Sequence, residues 1–188
     1  MSDQFGYVAG IDWSMVSPGI TLHPISADFN WKQCSFYYFG PQLASKNSPF
    51  FFGFPNIKYK SPEDRFYKLS TWAMDIIPPD STVFMEGYAY NARGKTFEIG
   101  ENTGLLKHML WKNDIRFSII SPTELKRFAT GKGNAKKEDM LAAFINDTHF
   151  DIHDHVTPKK KRGTSPVSDI IDSYFLCKMA LTQRSKTL

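Results

Sequence analysis

VSDIIDSY, Val167–Tyr174, sets two aspartates three residues apart in an otherwise apolar run that reads as the opening of a helix. Positions i and i+3 share a helix face, so Asp169 and Asp172 would stand a few ångströms apart and repel each other. A chain tolerates that arrangement more readily when a cation sits between them. Two further acids raise the same question: Asp12 ends the apolar strand YVAGID, and Glu86 interrupts VFMEGY, a strand expected to lie centrally in a sheet. A charge in such places is costly unless it is paired or bound to metal.

Three of these acids, taken singly, have a structural explanation. Asp12 fits a strand-end turn, Glu86 fits a partner to a buried Lys or Arg, and Asp169 fits the positive end of a helix dipole. No explanation as simple covers Asp172 in the same turn or Glu86 within a strand. If all four converge, they form an oxygen-only, strongly negative donor set that suits Mg²⁺ or Mn²⁺ and not zinc. Two such ions about 4 Å apart activate a water and stabilise the leaving oxygen in phosphodiester cleavage.

Basic residues flank the acidic helix in sequence. ELKRFATGKGNAKK, residues 124–137, carries Lys126, Arg127, Lys132, Lys136 and Lys137 around two glycines. Such a run is either a solvated helix face or a phosphate contact, in which glycines beside helix N-termini let backbone amides approach the anion. A second cluster, Lys159–Arg162, lies in a long polar loop before the last helix.

The rest of the chain supplies a scaffold. Three strand-like segments, 5–12, 19–25 and 31–40, are joined by short turn-prone stretches and predict an antiparallel meander. Residues 40–60 mix Pro, Gly and Ser with Phe50, Phe51, Phe52 and Phe54. They read as a loop, its phenylalanines either packed on the core or displayed to a partner chain or unstacked bases. Ser61 as N-cap and Pro62 at the first helical position open an amphipathic helix that Pro78 and Pro79 end. A strand through Glu86, a helix over 97–113 and a strand at 116–121 follow. A helix opened by Ser121 and Pro122 stops at Gly131, another runs on from Asn134, and the last begins near Ser168. The order βββαβαβααα predicts an α/β fold with a mixed sheet, and the 188 residues suit one domain over 1–188.

Composition sets the remaining bounds. Hydrophobic residues at 41% and aromatics at 15% make the chain globular. Lysine and arginine outnumber acids by 23 to 19, which permits a polyanionic partner. The N-terminus lacks the layout of a signal peptide and no long apolar run is present, so a soluble, intracellular protein without a membrane partner is expected. Cys34 and Cys177 fall in segments read as buried, and a disulfide is not expected.

GIDWSMVSPGIT, VFMEGY, KRFATGKGNAKKEDM and SDIIDSY, in this order over nearly the whole chain, resemble the RuvC-type Holliday junction resolvases of the RNase H-like superfamily, phage-encoded members included. The resemblance implies a five-stranded mixed β-sheet flanked by α-helices, a homodimer, and symmetric metal-dependent nicking of four-way DNA junctions. It implies that Asp12, Glu86, Asp169 and Asp172 are the catalytic, metal-binding carboxylates, with Mg²⁺ as cofactor and Mn²⁺ able to replace it. Lys126 and Lys137 match, by their spacing, basic residues used for binding or catalysis, and the helix near 97–112 falls where the family places much of its dimer contact. The family's aromatic wedge after the glutamate has no direct match; Tyr88 or Tyr90 would take that place. Rival readings are an RNase H-fold nuclease acting on other branched DNA, RNA–DNA hybrids or RNA, and a binding module that has lost catalysis, against which four intact acids argue. A sugar-kinase or actin-like ATPase would need two such domains, and a proofreading exonuclease an Asp-x-Glu where Asp12 is followed by Trp13 and Ser14.

Overall fold

Strands β1 (Tyr7–Asp12), β2 (Gly19–Pro24) and β3 (Ser35–Phe39) form the predicted antiparallel meander. They come from a computed structural model that describes residues 6–25, 28–41, 50–87, 96–157 and 159–184. The next strand falls where the sequence predicts a loop. Phe50–Phe54 is β4, and it pairs in parallel with the outer edge of β3. Stacked rings accompany the pairing: Phe36 on Phe51 with centroids 4.7 Å apart, and Tyr37 on Phe52 at 4.8 Å. The sheet therefore has six strands and not five, in the order β4-β3-β2-β1-β5-β6.

Helix α1 (Pro62–Ile76) starts as predicted, with the Ser61 hydroxyl accepting from the Asp64 N–H, and β5 (Thr82–Glu86) returns in parallel beside β1. Helix α2 (Thr96–Lys112) leads to β6 (Arg116–Ile120), parallel to β5. Helix α3 (Pro122–Thr130) has its first turn capped by Ser121, and α4 spans Lys137–Thr148. The predicted helix, running on from Asn134 with Ala135 as its first residue, starts two residues early, because Lys136 occupies the N-cap. The long polar loop contains a short helix, α5 (Ile152–Val156), before α6 (Val167–Arg184) closes the order.

Alternation along the strands divides the core in two. Val8, Phe36, Tyr38, Phe51, Phe84 and Ile120 face α3–α6, whereas Ala9, Ile11, Ile20, Leu22, Phe39, Val83 and Met85 face α1 and α2. Cys34 and Cys177 are buried and unpaired, as expected. Among the described residues no helix is long and apolar enough to cross a membrane.

Candidate active site

Asp12 and Glu86 are the last residues of β1 and β5, neighbouring parallel strands whose register pairs Ile11 with Met85. Both side chains therefore leave the sheet at the same edge. Glu86 ends its strand instead of interrupting it, although Gly87 still donates to the Ile120 carbonyl at 2.8 Å. Asp172 comes from the opening of α6, the helix laid across β1 and β2. Oxygens of Asp12, Glu86 and Asp172 all lie within 4.8 Å of one another.

Two glycines let α6 come this close. A Cβ on Gly10 of β1 would stand 2.0 Å from the Ser173 carbonyl oxygen and 2.3 Å from the Cys177 nitrogen. One on Gly19 of β2 would stand 2.5 Å from the Asp169 carbonyl oxygen. The helix backbone thus rests on bare strand backbone, which any side chain would prevent. Cross-links fix the contact further along: Thr21 and Ser173 share a hydroxyl hydrogen bond of 2.8 Å, and the Cys177 thiol donates to the Val8 carbonyl at 3.4 Å.

Asp169 lies beside the trio but is held differently. It is 7% exposed, and its Oδ1 accepts from both Ser165 Oγ and Ser168 Oγ at 3.0 Å, while Oδ2 is buried without a partner. Ser168 Oγ also accepts from Lys137 Nζ at 3.4 Å. In sequence these serines carry only a weak signal: TSPVSD sets two serine hydroxyls immediately around a helix start.

The carboxylates repel one another. Burial pushes Asp12 well above the ordinary carboxylate range, and the charges of Glu86, Asp172 and Asp169 add to it. Burial also raises Glu86, against the pull of its hydrogen bond with Asp12 and of Lys126. Asp172 is pushed up to about 8, by burial first and then by Glu86 and Asp169, with Lys137 and Lys126 opposing. Among the described residues none of the four acids has an ion-pair partner. An oxygen-only set with an unpartnered buried oxygen is compatible with a hard divalent metal.

Of the basic residues singled out in sequence, the fold brings Lys126 of α3 and Lys137 of α4 near enough to act on Glu86 and Asp172. Arg127, Lys132 and Lys136 are solvent-exposed on the same α3–α4 unit. The second basic cluster is partly spent on the protein itself. Arg162 pairs with Asp151 and with Asp154, the latter at 3.3 Å, and Lys160 Nζ donates to the Ser165 carbonyl at 3.5 Å. Tyr88 and Tyr90 lie outside the described residues.

The chain matches no protein-family model and no curated protein in sequence. Among solved structures it is similar to RuvC of Thermus thermophilus, with a TM-score of 0.60 at 15% identity over 96% of this chain and 97% of that one. It is equally similar, with a TM-score of 0.60 at 15% identity, to T. thermophilus RuvC in complex with a Holliday junction substrate, over 96% of each chain. The likeness that the motifs carried in sequence therefore holds over nearly the whole architecture, and the chain has the RNase H-like fold of RuvC.

Proposed function

We propose that this chain is a metal-dependent endonuclease of branched DNA, a single nuclease domain that resolves four-way junctions by paired symmetric nicking. The observation that carries the reading is the convergence of Asp12, Glu86 and Asp172 within 4.8 Å, without a neutralising ion pair among the described residues. The likeness to a protein solved on a Holliday junction substrate supports the substrate class. Asp12, Glu86 and Asp172, with Asp169 beside them, would hold Mg²⁺, and Mn²⁺ in its place. When bound, such ions supply an activated water and stabilise the leaving oxygen of a phosphodiester.

The chain's own side chains bind and orient the substrate. Lys126 and Lys137 stand next to the carboxylates and offset their negative charge where a phosphate must enter. The exposed Arg127, Lys132 and Lys136 contact the backbone on either side of the cleaved bond. Tyr88 or Tyr90, just after Glu86 in sequence, stacks on bases at the junction centre.

Paired nicks require two copies of the site; the apolar stripe around Leu106 and Leu110 that the sequence offers for a homodimer is fully buried in the core, and the exposed face of α2 provides the surface instead. Phe97 is 87% exposed and Trp111 70%, on one helical stripe with Gly104 and His108. Among the described residues a Cβ at Gly100 or Gly104 would meet nothing within 4 Å, so no packing among them requires either glycine. Both fit the close approach of a second helix.

The test is cleavage of four-way, flap, linear duplex and RNA–DNA hybrid substrates in Mg²⁺. Paired nicking of the four-way junction alone is expected, from a species of twice 21.5 kDa by light scattering. Equal cutting of linear duplex or hybrid would overturn the substrate assignment, and junction resolution by a 21.5 kDa monomer would overturn the dimer.

A further inference from the structure

The serine pair does work that the helix start does not need. The first turn of α6 is closed by backbone: Val167 N–H donates to the Thr164 carbonyl at 3.0 Å, and Ile170 N–H to the Pro166 carbonyl at 3.0 Å. Neither serine hydroxyl caps a backbone amide there. Both donate instead to the same oxygen of Asp169, one from just outside the helix and one from its second residue. Oδ1 is saturated by two donors, while Oδ2 is buried with none. A carboxylate free to rotate would share its donors between its oxygens; this one is locked with one oxygen spent and the other bare.

Ser168 adds a second link. The hydroxyl that donates its proton to Asp169 keeps its lone pairs for Lys137 Nζ, 3.4 Å away. The segment leading to these serines is itself docked on α4, since a Cβ on Gly163 would meet Lys137 Cβ at 3.3 Å. Loop, lysine and aspartate are thereby held as one unit.

We propose that Ser165 and Ser168 are positioning residues that hold Asp169 Oδ2 free for a divalent cation, separately from the oxygens of Asp12, Glu86 and Asp172. The inference rests on the metal site of the proposed function. It divides the four acids into a mutually close trio and an outlying aspartate whose hold on a cation depends on two hydroxyls. Removing partners that orient a ligand weakens metal affinity by about 10- to 100-fold.

The experiment is Mn²⁺ binding to the chelator-stripped full chain, followed by calorimetry and by the paramagnetic resonance of free Mn²⁺, without DNA. Wild type, S165A/S168A, S165A, S165T and D169N are compared, with melting in EDTA as the control for folding. The double variant is expected to bind one Mn²⁺ at least about tenfold more weakly, as D169N does, with a smaller loss in S165A. S165T keeps the donor and should bind as wild type. Should S165A/S168A melt early, the half-buried single change S165A carries the test alone. Mn²⁺ binding by S165A and S165A/S168A at wild-type affinity would overturn the serine assignment and leave the metal site standing. A wild-type chain that binds no Mn²⁺ would overturn both.

Discussion

Two pairs of aspartates share the i, i+3 spacing at a helix start, and they sit in opposite surroundings. Asp151 and Asp154 open α5 at the surface, and Arg162 reaches both. Asp169 and Asp172 open α6 in the interior, where no cation of the described chain reaches them as an ion pair and Glu86 and Asp12 crowd them further. The first pair is a surface ion-pair network that contributes little to stability. The second is an unresolved conflict of charge that the fold maintains with two bare glycines and two serines. Spacing alone does not separate a surface cap from a buried cluster of acids; burial and the missing counter-charge do.

The largest effect should come from exchanging the pairs as targets. Asp172→Asn keeps the volume and removes a charged oxygen, so nicking of a four-way junction in Mg²⁺ should fall by several orders of magnitude, while junction binding in EDTA persists or tightens. Asp154→Asn should leave nicking at the wild-type rate. Near wild-type nicking by the Asp172 variant would erase the distinction.

Next is the pH dependence of the metal-free protein. Asp172 holds its proton up to about pH 8 when folded, but releases it near the ordinary carboxylate value when unfolded. The native state then binds more protons across that window, so stability should fall as pH rises from about 4 to 8 and level off above. Thermal melts in EDTA should show this slope, and Asp172→Asn should flatten it. Added Mg²⁺ should restore stability most at the alkaline end, where the carboxylates are ionised, by about 2.7 kcal/mol at a hundredfold excess over the dissociation constant.

Gly10→Ala tests the scaffold beneath the buried pair. Its methyl group would collide with the α6 backbone at 2.0 Å, and overpacking of this kind costs about 1–3 kcal/mol. Cleavage should fall further than the melting temperature alone explains, because Asp172 moves with the helix. The smallest effect belongs to Arg162→Ala, which breaks an exposed network and should leave the midpoint of denaturant melts close to that of the wild type.

The acids of the candidate site stand out in sequence because charge inside an apolar pattern is a local signal. Asp12, Glu86, Asp169 and Asp172 could each be picked out from their immediate neighbours. What holds them was not legible. Gly10 reads as an ordinary strand glycine until α6, far along the chain, is laid against it, and Ser165 reads as a loop residue until its hydroxyl is seen on Asp169. The same limit hid β4. Phe50–Phe54 has the residues of a strand, but its partner is reached by a parallel pairing that no tight hairpin turn announces. Lys159–Arg162 looked like one basic cluster, and the charge on Arg162 is committed to Asp151 and Asp154.

The docking of α6 on β1 also sets when this centre comes into being. Asp12 belongs to the first strand and Asp172 to the last helix, so their meeting is among the longest-range contacts in the chain. During synthesis the strands and α1–α5 emerge before the helix that brings two of the four acids. A ribosome-bound chain lacking α6 holds Asp12 and Glu86 but neither Asp169 nor Asp172. The carboxylate centre is therefore completed only once α6 has been made, and a product interrupted before α6 carries Lys126 and Lys137 without Asp169 and Asp172.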